Sequence, residues 1–259
     1  MLKNILDNAG LSYHKELSAL RQSDTKEAYA PEQGKRIIPP PVITENMANQ
    51  FFGMFWGRQD VYAKRSVNKE NGKAAYYPQC NNFWTNVCHK KKKDSVSCKD
   101  CRNRSYKEIT KKDILNHLQG NAYNESDVIG VYPLLSNGTC RFMVFDFDNH
   151  NKGAEEKDFA NVDDIWLEEV DAMREICVLN GIEPLIERSR SGRGAHVWIF
   201  FDKPIAASLV RKFGFALLDK GAEQVNLKSF KYYDRMLPAQ ESLPDNGVVG
   251  NLIALPLQE

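Results

Sequence analysis

Long apolar runs are what this chain lacks most clearly. No stretch reaches the roughly eighteen consecutive apolar residues of a membrane-spanning helix, and no apolar leader follows Met1. Internal repeats and low-complexity tracts are missing as well. We therefore expect a cytoplasmic, globular protein with no membrane partner.

Cysteine is scarce, with six residues in 259, and in a cytoplasmic protein such cysteines are more often metal ligands or core thiols than disulfides. A net charge of +1 is also small, but it hides a polarity along the chain. Residues 64–113 hold fourteen Lys or Arg against five Asp or Glu, whereas residues 145–173 hold ten acids against two bases. The basic block suits a polyanionic partner.

Two acids end an apolar run in residues 141–149, which read RFMVFDFDN. Asp146 and Asp148 alternate with Phe145 and Phe147, and residues two apart on a strand share a face. Two carboxylates side by side repel each other unless a cation lies between them, and oxygen ligands suit Mg²⁺ or Mn²⁺. We interpret the pair as a divalent-metal site; the alternative is two solvated acids.

A glycine-rich turn occurs later, in residues 189–198, which read SRSGRGAHVW. Arg190, Ser191 and Arg193 lie in the turn, and His196 follows at the start of a predicted strand. Such a turn is a plausible cradle for phosphates, and arginine matches phosphate geometry. The alternative is a core histidine with solvated arginines. A divalent metal beside a phosphate cradle indicates nucleotidyl transfer.

Four cysteines, Cys80, Cys88, Cys98 and Cys101, cluster within a stretch of little apolar periodicity. The Cys-x-x-Cys half is typical of zinc knuckles, while the first half is more widely spaced than usual. We predict one structural Zn²⁺ in a module at residues 76–106; the alternative is free thiols in a basic loop.

The order of predicted elements from residue 140 onward is β-α-β-β-α-β, the ferredoxin-like order of RNA-recognition-motif (RRM-like) folds and polymerase palms. We therefore predict an α+β fold. Its parts are an accessory arm and linker at 1–43, an N-terminal α/β portion with the zinc module at 44–139, and an RRM-like palm at 140–259.

Two further site residues follow from this arrangement. The fourth palm strand neighbours the first, so Asp234 is the candidate third metal ligand, unless it only pairs with Arg235 at the surface. Residues 128–135 also resemble a strand, and Asn137-Gly138 predicts a hairpin to the first palm strand. On that hairpin, Tyr132 would lie beside the sugar of a nucleotide; the alternative is a tyrosine packed at the domain seam.

These motifs together resemble a known family. Residues 51–258, about four-fifths of the chain, are similar to archaeo-eukaryotic primase-polymerase domains, closest to the branch of TOTE conflict systems and CRISPR-associated primase-polymerases. The cysteine cluster carries the resemblance together with FWGRQDVY at 55–62, GVYPLL at 130–135, FDFD at 145–148, ERSRSGRGAHVWIFF at 187–201, YDR at 233–235 and GNLIALPLQ at 250–258.

The resemblance implies a DNA primase-polymerase that transfers a nucleotide from NTP or dNTP to a 3′-hydroxyl, or starts primers de novo. It implies that Asp146, Asp148 and Asp234 hold two catalytic Mg²⁺ or Mn²⁺ ions and that His196 contacts the nucleotide. The implied partners are single-stranded or primed DNA, with DNA or RNA primers, and helicase or CRISPR-adaptation domains outside this chain.

Three other classes of protein share some of these features. A metal-dependent nuclease would use the acids but needs no triphosphate cradle, and a zinc-containing nucleic-acid-binding module would leave the acids unexplained. A rolling-circle initiator needs a His-x-His pair, which the sequence does not contain.

Overall fold

Two four-stranded antiparallel sheets organise the computed structural model, which describes residues 42–92, 96–120, 127–149, 165–190, 192–225, 230–243 and 249–257. Most of the predicted arm (1–41), Ser191 and the first residues of the predicted helix at 162–179 lie outside this description. None of the helices in the described ranges is both long and apolar enough to cross a membrane.

In chain order the elements are α1 (Glu45–Phe55), β1 (Ala63–Val67), β2 (Ala74–Pro78), α2 (Lys111–Gln119), β3 (Ile129–Val131), β4 (Thr139–Asp148), α3 (Ile165–Leu179), β5 (Leu185–Arg188), β6 (Gly194–Ala206), α4 (Ala207–Gln224), β7 (Tyr233–Leu237) and β8 (Ile253–Ala254). The central sheet has the strand order β5-β6-β4-β7, and the outer sheet has the order β2-β1-β3-β8. The fold is thus mixed α/β with two antiparallel sheets.

Helix ends follow local sequence chemistry. Thr110 begins α2 with a capping box, in which its Oγ1 accepts from the Asp113 backbone N–H at 3.2 Å and the Asp113 carboxylate accepts from the Thr110 N–H at 3.1 Å. Gly120 ends the helix with φ of 60°, a left-handed conformation that favours glycine. Thr44 begins α1 as a simple N-cap, since its side chain accepts from the Met47 N–H.

The central sheet is covered on both faces. Met143, Phe145 and Phe147 of β4 pack with residues of α3 and α4 such as Met173 and Leu217. Phe142 and Val144 face the other way, where they pack with Trp198 of β6, Phe55 of α1 and Ile114 of α2. Asp146 and Asp148 continue the series of Phe142 and Val144 at two-residue intervals, and they therefore lie on the face of α1 and α2.

The predicted hairpin between residues 128–135 and β4 is wrong. Although Leu135 and Thr139 are joined by a backbone hydrogen bond of 2.8 Å, β3 pairs with β1 and β8 in the outer sheet. The tight turn at Asn137-Gly138 forms, but the strand before it, β3, belongs to the outer sheet, whereas the strand after it, β4, belongs to the central sheet. The pairing of β3 with β8 also returns the end of the chain to the sheet of the N-terminal portion.

Buried helix faces differ in part from the periodicity. In α1, Ala48, Phe51 and Phe55 are buried. Met47 and Met54 are 41% and 48% exposed, although helical spacing places them on the same side as Phe51 and Phe55. In α4, Leu209 and Phe213 are likewise exposed, and small residues take their place in the core. One of these is Gly214, where an added Cβ would lie 2.1 Å from the Met236 sulfur. Because α4 packs closely on the central sheet through Gly214, the larger side chains of Leu209 and Phe213 lie on the exposed side of the helix.

Candidate active site

Strand register gathers four charged side chains at one end of the central sheet. Asp146 of β4 is paired with His196 of β6 on one side and with Arg235 of β7 on the other, and His196 is paired in turn with Glu187 of β5. Paired residues on neighbouring antiparallel strands project to the same face. The result is the row Glu187–His196–Asp146–Arg235 across all four strands, which we call the acidic row.

His196 lies between two carboxylates. Its Nδ1 is 3.0 Å from Glu187 Oε2, and its Nε2 is 3.5 Å from Asp146 Oδ1. Burial disfavours the charged imidazole, but the hydrogen bond and charge of Glu187 together with the charge of Asp146 outweigh it, so the pKa of His196 is raised. The ring is therefore an imidazolium at higher pH than an ordinary histidine.

Glu187 and Arg235 are the two residues of this row that the sequence analysis did not assign to the site. The Oε2 of Glu187 accepts hydrogen bonds from both His196 and the Trp198 Nε1, the latter at 3.1 Å. The signal was available, because counting back from His196 across the predicted turn places Glu187 opposite it on the neighbouring strand. Glu187 orients the imidazole and favours its charged form.

Asp234 joins the row through Arg235. A break in the register between β4 and β7 beside Asp146 lets these two consecutive residues of β7 approach the same carboxylate. Arg235 Nε lies 3.2 Å from Asp146 Oδ2 and 3.3 Å from Asp234 Oδ2. Burial raises the pKa of Asp146, His196 and Arg235 oppose that shift, and the charge of Asp234 adds to it. Two acids thus share one cation.

A buried carboxylate on α3 holds the segment that leads into β7. Glu169 is 3% exposed, and its two oxygens accept the backbone N–H groups of Lys231 at 2.7 Å and Tyr232 at 2.8 Å. Because these residues immediately precede Tyr233 and Asp234, Glu169 sets the path of the strand that carries the third acid.

The turn before β6 comes close to the end of β4. Gly194 is paired with Asp148, and a Cβ on Gly194 would lie 2.1 Å from the Phe147 carbonyl oxygen, so no larger residue fits. Gly192 has φ of 70°, and its carbonyl accepts from Arg188 Nε at 3.0 Å. The backbone N–H of Asn149 donates to the backbone carbonyl of Arg193 at 3.0 Å. Glycine therefore allows the turn to pack directly beside the two acids.

The arginines of this turn differ in exposure. Arg190 is exposed and lines a cavity with Glu187 and Arg188, whereas Arg193 is half-buried. Ser191, the remaining predicted phosphate contact in the turn, lies outside the described residues. The structure thus brings His196 into the acidic row and places Arg193 next to the strand end that carries Asp148.

The donor set of this site suits a divalent cation. Asp146, Asp148 and Asp234 offer only carboxylate oxygens, the ligands that Mg²⁺ and Mn²⁺ prefer. Within the described ranges no three Asp, Glu, His or Cys side chains already form a metal-binding group. The Arg235 guanidinium lies between two of the acids, so these carboxylates are oriented towards a positive charge.

The strand pairing on which the assignment of Tyr132 rested is not formed, because β3 pairs with β1 and β8 rather than with β4. The Tyr132 side chain is 3% exposed and packs with Val61 and Ala63 of the outer sheet. Burial raises the pKa of its hydroxyl. In this conformation the ring is not accessible to a nucleotide sugar, as expected for a tyrosine that packs within the outer sheet.

The cysteine cluster surrounds one cavity of about 30 Å³, which is lined by all four predicted ligands and by His89. All six cysteines of the chain are free of disulfides. Hydrogen bonds from backbone N–H groups, led by that of Lys91, lower the pKa of the Cys88 thiol. The thiols face a common space, although no three of them meet in a metal-binding arrangement in the described part of the chain.

Comparisons with known proteins were made for both the sequence and the structure. A sequence profile of the archaeo-eukaryotic primase domain of TOTE conflict systems matches residues 46–259. Among solved structures, the polymerase domain of Mycobacterium tuberculosis ligase D in complex with DNA aligns with a TM-score of 0.42 and 14% identity. The alignment covers 71% of this chain but spans only 64% of that chain's length. A search of curated proteins finds no match.

The profile match extends over most of the chain and includes every residue of the acidic row. The matched domain is of the primase class, and primases are nucleotidyltransferases. The chain belongs to the archaeo-eukaryotic primase domain family of TOTE conflict systems. The resemblance stated from the motifs is thereby confirmed.

Proposed function

We propose that this chain is a DNA primase-polymerase core that transfers nucleotides from NTP or dNTP to a 3′-hydroxyl on a template. The observation that carries the proposal is the row of Glu187, His196, Asp146 and Arg235, with Asp234 sharing the guanidinium of Arg235. It combines oxygen donors for metal ions with cationic groups for a triphosphate on one face of one sheet.

Asp146, Asp148 and Asp234 are the proposed metal ligands. Bound Mg²⁺ or Mn²⁺ ions would activate the attacking hydroxyl and neutralise the leaving pyrophosphate. Arg235 offsets part of the negative charge of Asp146 and Asp234 while it lies between them, and its guanidinium would move away if a metal ion took its place. Its side chain is 52% exposed, which gives it room to do so.

His196, Arg190, Ser191 and Arg193 are the proposed nucleotide contacts. Because Glu187 and Asp146 favour the imidazolium, His196 can donate to a phosphate oxygen as a charged group, which makes a stronger hydrogen bond than a neutral donor. Approach of a triphosphate to Nε2 would replace the long 3.5 Å contact to Asp146 and leave the Glu187 bond intact.

The chain order and sheet order support an RRM-like palm. The elements β4-α3-β5-β6-α4-β7 with strand order β5-β6-β4-β7 are those of a ferredoxin-like unit. We propose this unit as the palm, with residues 44–139 as an N-terminal portion and 1–43 as an arm. We further propose that Cys80, Cys88, Cys98 and Cys101 hold a structural Zn²⁺, since all four thiols border one cavity.

The proposed partners are single-stranded or primed DNA, with a DNA or RNA primer, and an NTP or dNTP. A helicase or CRISPR-adaptation domain is the proposed protein partner. The polyanionic substrates fit the excess of Lys and Arg in residues 64–113.

A primer-extension assay tests the function directly. The chain is incubated with an end-labelled primer on a longer template, with Mg²⁺ or Mn²⁺ and with dNTPs or NTPs in separate reactions, and with an unprimed strand in parallel. Nucleotide-dependent lengthening of the primer is expected. Shortening of the primer would identify a nuclease, and a mobility shift without any change in length would identify a binding module; either result contradicts the proposal.

A further inference from the structure

A second surface, which shares no residue with the acidic row, combines exposed aromatic rings with positive charge. It is a groove of about 510 Å³ along β1, β2 and the turn after Cys80. Its lining is Lys64, Arg65, Ser66, Asn68, Tyr77, Gln79, Phe83, Trp84 and Lys90. None of these described residues is acidic. We call this surface the aromatic groove.

Three large rings in the aromatic groove face solvent. Tyr77, Phe83 and Trp84 are 39%, 44% and 59% exposed, and the rings of Phe83 and Trp84 meet edge to face with centroids 5.4 Å apart. Such rings normally contribute to a core because they bury large apolar areas. Neighbouring exposed rings on a polar surface mark a binding site.

The turn that displays two of these rings is held in place. Phe83 N–H donates to the Cys80 carbonyl at 3.1 Å, and the Asn82 side chain donates to the Asn103 carbonyl at 2.6 Å. Trp84 has φ of 62°, a conformation that is unfavourable for a bulky residue. Because the Trp84 side chain is largely exposed, burial of the ring does not explain this conformation.

Positive charge surrounds the rings. Lys90 Nζ lies 4.0 Å from the centre of the Tyr77 ring, and Lys64 is paired opposite Tyr77 while also contacting Asp113 at 3.1 Å. Burial and then repulsion from Arg190 lower the pKa of Arg65. Lysine and arginine side chains therefore line the groove beside the exposed rings.

We propose that the aromatic groove binds an unpaired DNA strand, whose bases stack on Tyr77, Phe83 and Trp84 and whose phosphates meet the lysines. Flat rings beside lysines match a chain of alternating bases and phosphates, the combination that proteins use to bind single strands. A duplex keeps its base faces stacked inside and cannot use the rings. That the strand is the template rests on the proposed function, whereas binding itself does not depend on catalysis.

The test is fluorescence polarisation of labelled dT20 with the full chain, without nucleotide. Phe83→Ala combined with Trp84→Ala should weaken binding about tenfold or more, since each lost stacking contact contributes on this scale. Lys90→Gln should reduce the slope of log K against log salt by about 0.7, as expected for one lost phosphate contact.

Phe215→Ala is the matched control. Phe215 is 44% exposed, like Phe83, and Arg211 lies 5.4 Å from its ring centre, but it belongs to α4 outside the groove. It should bind dT20 with wild-type affinity. Trp84→Phe keeps a ring and should retain most of the affinity, while the quenching of the exposed tryptophan by dT20 should be lost.

Wild-type affinity in the Phe83 and Trp84 double variant, with an unchanged melting temperature, would overturn the inference. Equal loss of affinity in Phe215→Ala, or equal affinity of wild-type protein for a 20-base-pair duplex, would overturn it as well. Asp146→Asn should bind dT20 normally. If the groove variants lose binding while wild-type protein extends no primer, only the proposed function fails.

Discussion

The acidic row and the aromatic groove are built in different ways. The row lies on four paired strands, and the side chains of Asp146, Glu187 and His196 are each 13–15% exposed. The groove is formed partly by a turn, and its three rings are between 39% and 59% exposed. The row combines carboxylates with cationic groups on paired strands, whereas the groove is more open and lined by basic residues.

We infer from this difference that the row would carry the reaction and that the groove would hold the DNA strand. Buried acids in a fixed register hold their mutual distances, which a reaction centre needs. Exposed rings and lysines can adapt to any sequence of bases, which a template path needs. We therefore expect substitutions in the row to change turnover and substitutions in the groove to change affinity for DNA, and the following predictions test this separation.

The largest expected effect is on catalysis. Asp146→Asn, Asp148→Asn or the double variant should reduce nucleotide incorporation about a thousandfold or more, since loss of a metal ligand removes several kcal/mol of transition-state stabilisation. Primer extension at saturating nucleotide measures this. Asp202→Asn is the matched control, because Asp202 is an exposed acid on the same strand as His196. Wild-type rates in the double variant would refute the metal-site assignment.

The next effect concerns the proposed zinc site next to the groove. Cys98→Ser should lower the zinc content from one ion per chain and reduce thermal stability by several degrees or prevent folding, because binding of a structural metal contributes folding energy. Elemental analysis and thermal melting measure both. Cys140→Ala removes a fully buried core thiol and should leave the zinc content unchanged. Metal-free wild-type protein would show that the cysteines are only free thiols.

The contrast between paired strands and turns also explains which parts of the structure could be predicted from the sequence. The order of strands and helices from residue 140 onward follows the hydrophobic periodicity, although the buried face of α4 does not. Asp146, His196 and Asp234 meet because the strand register is set by that pattern. The partner of β3 was not predictable, since Asn137-Gly138 specifies a turn but not the sheet that the preceding strand joins. Likewise, the exposed rings of Phe83 and Trp84 occur in a turn. In a turn, the sequence spacing of two residues does not tell whether their side chains point to solvent or to the core.

Two buried histidines should show opposite pH dependence of stability. His117 Nδ1 accepts from the Ile129 N–H at 3.2 Å while Nε2 donates to the Pro256 carbonyl at 2.9 Å, and burial lowers the pKa of His117. His117→Gln leaves the Ile129 N–H without its acceptor and should cost about 1–3 kcal/mol.

The sign of each pH effect follows from its pKa shift. For His117 the lowered pKa makes its contribution complete above the unfolded value of about 6.5 and lost as pH falls through the folded value. For His196 the raised pKa makes its contribution complete below about 6.5 and lost as pH rises through the folded value. Urea unfolding of His117→Gln and His196→Gln at pH 5.5 and 8 measures both. Parallel trends in the two variants would contradict the protonation states assigned here.

The smallest effect distinguishes orientation from direct contact within the row. Glu187→Gln removes a charge that favours the His196 imidazolium but keeps a group that can bond the ring, so the pKa of His196 should fall. The KM for nucleotide should rise about tenfold at pH 8, which corresponds to about 1.4 kcal/mol, while kcat changes little. As the pH falls from 8 to 6, the protonated fraction of His196 rises in both proteins, so the KM values should converge. His196→Ala should raise KM at both pH values. A Glu187→Gln variant whose KM rises equally at pH 6 and pH 8 would show that Glu187 acts on the nucleotide by another route than the charge of His196.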